Sequence, residues 1–111
     1  LLKPASLNKN GDFRRLYSRG KSAVHPVLVV YVMKNRTGFC RLGITTGKKV
    51  GNAVCRNRSK RIIREAYRKI SPKINGNYDL VFVARAMTPE KKSDEIYEVM
   101  EKLLNKLGIL K

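Results

Sequence analysis

Between Lys48 and Lys69 the sequence sets nine lysines and arginines against one acid, Glu65. Side chains of this type at this density do one kind of chemistry well. They neutralise a polyanion, each cation displacing a condensed counterion from a phosphate backbone. Groups for other chemistries are scarce. His25 is the sole histidine, and no Cys-x-x-Cys or His-x-x-x-His spacing occurs, which argues against a Ser/His/Asp triad and a protein-borne zinc site. The pair Gly47-Lys48 invites a phosphate-loop reading that fails in detail. Three residues rather than four separate Gly43 from Gly47, and Lys49 stands where Ser or Thr should. Glycine turns at Gly47 and Gly51, with Lys48, Lys49 and Asn52, can still offer backbone N–H groups and cations to phosphate.

The cations must be held by an element, and the pattern from Asn52 onward is helical. At about 100° per residue, Ile62, Cys55, Ala66, Ser59, Ile70 and Ile63 fall within one arc about 100° wide. Lys60, Arg64, Asn57, Arg68 and Arg61 lie opposite, with Arg56 and Arg58 flanking. A solvated helix face mixes signs, whereas Lys60/Arg64 and Arg64/Arg68 are like-charge pairs at i,i+4, which cost stability unless something neutralises them. The narrow Cys/Ala/Ser/Ile seam suits packing on a sheet and lacks the bulky apolar residues that enter lipid, so no membrane partner is expected.

The charge of the whole chain follows the same division. The 111 residues carry a formal net charge of +17; residues 1–88 hold 20 of the 25 bases and three acids, and residues 89–111 balance five against five. So one-signed a field destabilises a compact state and points to a polyanionic partner. The length suits a single domain, 1–111. The longest apolar run, Pro26 to Met33, is too short to span a bilayer, and the first residues lack a signal-peptide pattern. Cys40 and Cys55 read as free thiols of a cytoplasmic protein.

Around the basic helix, Asn8 or Asn10 can cap a first short helix in which Phe13, Leu16 and Tyr17 share a face and Gly20 supplies the stop. Val27 to Met33 reads as a strand buried on both faces. The turn signal Lys34–Gly38 predicts its antiparallel pairing with Phe39–Thr46. A brief extra strand is allowed at Lys48–Lys49; Tyr78–Ala84 is a further strand. Ser93 caps a last helix with the stripe Ile96, Met100, Leu103, Leu104 and Leu107, closed by Gly108. The order α-β-β-(β)-α-β-α predicts an α+β fold, a two-layer sandwich on a small mixed sheet.

The stretch GKKVGNAVCRNRSKRIIREAYR closely resembles the signature of the bacterial ribonuclease P protein family, with Arg56-Asn57-Arg58 as its hallmark. NGDFRRLYSRGKS, VLVVYV, FCRLGITT and YDLVFVAR resemble the flanking elements, so that about residues 8 to 105 follow the family pattern. The resemblance implies a fold shared with ribosomal-protein and elongation-factor domains, with a left-handed helix crossover against the usual right-handed rule. It implies a ribonucleoprotein in which the RNA subunit, using Mg²⁺, cleaves precursor tRNA to form the mature 5′ end. The protein then carries no catalytic residue, no metal and no cofactor of its own.

By the same resemblance, Lys48, Lys49, Asn52, Arg56, Asn57, Arg58, Lys60, Arg61, Arg64 and Arg68 face the ribonuclease P RNA. Phe13, Tyr17 and Tyr31 match a cleft for the single-stranded 5′ leader of precursor tRNA. Aromatic faces suit that task, since every base can stack on them; plain helix–sheet packing is the alternative for Phe13 and Tyr17, and an ordinary core tyrosine for Tyr31. Tyr17 departs from the family, where phenylalanine is common. Sulfate or phosphate is expected at the RNA sites. A ribosomal protein or RNA chaperone is the rival reading of the charge alone, and an autonomous nuclease lacks an acid, base or metal set.

Overall fold

A computed structural model describes residues 5–7 and 9–111. Three helices surround a five-stranded mixed sheet: β1 (Ala5–Ser6), α1 (Asn10–Arg19), β2 (Lys21–Val24), β3 (Leu28–Lys34), β4 (Arg41–Thr45), α2 (Ala53–Ile70), β5 (Tyr78–Ala84) and α3 (Ser93–Lys106). The spatial order is β1-β4-β5-β3-β2. The α+β class is thus the one expected from the sequence.

Alternation along the two longest strands divides the core. Leu28, Val30 and Val32 of β3, with Leu80, Phe82 and Ala84 of β5, face α2 and α3 in the main core. Their neighbours Tyr31, Met33, Val81 and Val83 face the other way, against Leu7, Phe13 and Leu16. The two-layer expectation describes the larger side; α1 adds a cover on the opposite face. Both strands read as near-continuous apolar runs because both faces are covered.

The expected antiparallel pair is not formed. β5 lies between β3 and β4, antiparallel to the first and parallel to the second. The turn after β3 is instead drawn across the start of β5, where the Asn35 backbone N–H donates to the Asn77 carbonyl at 3.1 Å. Its side-chain amide donates to Asp79 Oδ1 at 2.7 Å. β4–α2–β5 is therefore a parallel crossover with α2 as its connecting helix. Two short strands escaped the sequence reading. β1 has two residues, and β2, KSAV, pairs with β3 but has only Ala23 buried. Neither carries an apolar alternation long enough to register.

Local boundaries shift for identifiable reasons. Lys48–Val50 forms a 3₁₀ turn, not a strand. Lys9 holds the N-cap position of α1 where Asn10 was expected, and its side chain makes no capping bond; the alternative, Asn8, lies outside the described residues. Ser93 sits inside α3, whose first turn is closed by Glu95 accepting from the Lys92 backbone N–H at 3.2 Å. Gly20 does end α1, its N–H reaching the Leu16 carbonyl at 2.8 Å. A Cβ there would come within 2.9 Å of the Val32 carbonyl oxygen, so only glycine lets α1 turn so close to β3.

Candidate nucleic-acid interface

The basic surface is built from the loop before α2 inward. Val50 is buried and pins the Lys48–Val50 turn to the core, leaving Lys48 and Lys49 exposed. Gly51 has φ +129°, a conformation L side chains rarely adopt, and carries the chain into the helix. There Asn52 caps α2 by accepting the Cys55 backbone N–H at 3.0 Å. Its placement in the RNA-facing set therefore coincides with a structural duty, one that uses its side-chain oxygen and not its NH₂.

Along α2, Ser59, Ile62, Ile63, Ala66, Tyr67 and Ile70 are buried. The seam is wider than the sequence arc because Tyr67 joins it, stacking edge-on against Phe82 with ring centres 6.0 Å apart. Burial, and secondarily the Cys40 thiol, pushes the Tyr67 hydroxyl well above its usual range. Ser59 satisfies its hydroxyl by donating to the Cys55 carbonyl at 2.9 Å. Opposite, Asn57, Arg58, Arg61, Arg64 and Arg68 are exposed, and Arg56 and Lys60 half-buried. Among the described residues, Lys48, Lys49, Arg56, Arg58, Lys60, Arg61, Arg64 and Arg68 enter no ion pair. The first turn of α2 contains no acid. Arg56 and Arg58 therefore stand at the positive pole of the helix, an arrangement that favours an anion in front of them.

The aromatic residues come together on the opposite face of the sheet. Tyr17 meets Tyr31 edge-on at 4.9 Å between ring centres, and Phe13 at 6.5 Å. Phe13 rests on Gly43, where an added Cβ would lie 2.8 Å from its ring, so much of its surface serves packing. Tyr17 is 41% exposed and presents the most accessible face of the three.

Two residues missed by sequence reasoning join the surfaces. Thr45, at the end of β4, holds the Tyr17 hydroxyl at 3.0 Å through Oγ1. Thr46 lines a hollow of about 240 Å³ with Ala53, Arg56, Asn57 and Lys60. Adjacent threonines thus touch the aromatic cluster and the basic helix from one strand end. Only the sheet register, in which Thr45 pairs with Val83, reveals this.

Comparison with known proteins fits this geometry. The ribonuclease P family profile matches residues 1–108. The chain belongs to the ribonuclease P family. The ribonuclease P protein component of Clostridioides difficile strain 630 is 41% identical over 104 residues, covering 93% of this chain and 91% of that protein. That of Clostridium botulinum strain Loch Maree is 43% identical over 109 residues, covering 97% and 98%. The Staphylococcus aureus RNase P protein structure superposes with a TM-score of 0.85 at 34% identity, covering 98% of this chain and all of that one. The Thermotoga maritima RNase P protein gives 0.77 at 30% identity, covering 87% and 92%. The ribonuclease P family expected from the signature is the family found. Among the described residues no helix is long and apolar enough to cross a membrane.

Proposed function

We propose that this chain, as the protein component of a tRNA-processing ribonuclease P, uses its two faces for two RNAs. The cations of the Lys48–Val50 turn and of α2 bind the ribonuclease P RNA; Phe13, Tyr17 and Tyr31 receive the 5′ leader of precursor tRNA. The observation that carries the proposal is the exposed arc of α2, free of internal ion pairs, adjoining the aromatic cluster at Thr45 and Thr46. Phosphates opposite that arc relieve the Lys60/Arg64/Arg68 repulsion and release counterions. Stacking on Tyr17 and its neighbours holds unpaired bases with little sequence preference.

Among the described residues no three His, Cys, Asp or Glu side chains stand together. Asp12 and Asp79 are engaged by Arg15 and Arg41. The acids of this chain thus fit no two-metal site, and the proposal places Mg²⁺ and catalysis on the RNA subunit, in the cytoplasm. The test mixes this protein with a bacterial ribonuclease P RNA and precursor tRNA at low Mg²⁺. Cleavage at the mature 5′ end only when both are present supports the proposal. Cleavage by protein alone, or no gain on adding protein to RNA, overturns it.

A further inference from the structure

Eleven of the 20 bases within residues 1–88 lie outside the segment 47–69, so α2 and its loop do not account for the charge of this chain. Several of them collect around the outside of α1. With Phe13 at 0°, Tyr17 lies near 40°, Arg14 near about 100°, Ser18 near about 140°, Arg15 near about 200° and Arg19 near about 240°. Travelling round the helix away from the aromatic face, Asn10 follows Tyr17 near about 60° and Arg14 is the first cation met.

Arg14, Arg15, Ser18 and Arg19 line one hollow of about 370 Å³. Arg15 also borders a second, of about 290 Å³, walled by Lys34 at the end of β3 and by Arg36 and Thr37 of the turn that follows. The two hollows share a side chain and form one track. Its acids are spent: Asp12 is bound by Arg15 at 2.8 Å, and Asp79 by Arg41 at 2.7 Å. Among the described residues Arg14, Arg19, Lys34 and Arg36 make no ion pair, and all four are exposed.

We propose that this track binds the phosphodiester backbone of the distal 5′ leader, the nucleotides beyond those that stack on Phe13 and Tyr17. The inference rests on the leader reading of the aromatic cluster. Continuity carries it: the track begins beside Tyr17, on the opposite side of the sheet from α2, where the first cation that a strand leaving the aromatic face meets is Arg14. The lining is cationic without added aromatics, so it holds phosphates and reads no bases.

The test uses holoenzyme reconstituted with Arg14→Gln/Arg19→Gln/Arg36→Gln protein and precursors with leaders of about 4 and about 20 nucleotides. Affinity for the long-leader precursor falls by about tenfold and its salt slope flattens by about 2. Short-leader affinity and RNA-subunit affinity stay within about twofold, and the corresponding Arg→Lys triple variant retains long-leader affinity because lysine serves as a phosphate-binding point charge. Equal losses with both leaders, no loss with either, or a loss of RNA-subunit affinity overturns the track. Phe13→Ala separates the two readings: retained short-leader discrimination in that variant defeats the aromatic cleft, whatever the arginine variant does.

Discussion

The Tyr17 hydroxyl lies 3.0 Å from Thr45 Oγ1, fastening α1 to the end of β4, from which the chain enters the lysine turn. Tyr17→Phe removes this bond and keeps the ring. Stability should fall by about 1 kcal/mol in denaturant melts, while preference for precursor over mature tRNA stays within about twofold. Loss of that preference with the ring intact would assign the leader contact to the hydroxyl instead of the aromatic face.

Gly43 sets the height of Phe13 above the sheet. In Gly43→Ala the new methyl would lie 2.8 Å from the Phe13 ring and 3.3 Å from Val81, so the ring must move. We expect a loss of about 1–3 kcal/mol in stability with a parallel drop in precursor preference, and unchanged RNA-subunit affinity. A variant of wild-type stability would show that Phe13 is free to shift.

Asp79 gives the fold an acid-sensitive tie. It accepts from Arg41 Nε at 2.8 Å, from Arg41 Nη2 at 2.7 Å and from Asn35 at 2.7 Å, while only 1% exposed. Burial alone pushes its carboxyl up; the Arg41 and Asn35 bonds outweigh that and hold it below the usual range. The unfolded chain therefore binds this proton first, near about pH 4. The stability from Asp79 is complete above that pH and is lost as pH falls through the native value. Asp79→Asn should flatten the acid limb of the stability profile. Asp79→Ala should cost about 3 kcal/mol near neutrality, since it leaves Arg41 only the long contact with Asp12 at 4.0 Å.

The arginines of α2 should behave as phosphate contacts. Arg64→Ala and Arg68→Ala each weaken binding of the ribonuclease P RNA and flatten its salt slope by about one unit. An unchanged slope would make these side chains a solvated face. Sulfate, by the same reasoning, raises the melting midpoint, contributing about 2.7 kcal/mol at a hundredfold excess over its dissociation constant. Matched chloride should do less; equal effects would indicate general screening.

Much of this was legible in the sequence because it is local. The α2 seam follows from helical spacing, as does the α3 stripe of Ile96, Met100, Leu103 and Leu104. The buried runs of β3 and β5 follow from their β-branched composition. Strand order did not, because a turn signal says that the chain reverses and not which strand it then meets. Asn35 reaching across to Asn77 and Asp79 decides that, over more than forty residues of sequence separation. Thr45 and Thr46 were invisible for the same reason: hydroxyls at a strand end acquire meaning only from what the register places beside them. The outer arginines of α1 were visible as charge, but their union with Lys34 and Arg36 is a property of the fold.

On the function proposed above, one face serves the catalytic RNA and the other the leader. Its most direct test is the ratio of precursor to mature tRNA affinity for holoenzyme carrying Phe13→Ala, measured beside the affinity of that protein for the ribonuclease P RNA. The ratio should fall by about tenfold with RNA-subunit affinity essentially unchanged. Equal losses in both would contradict it.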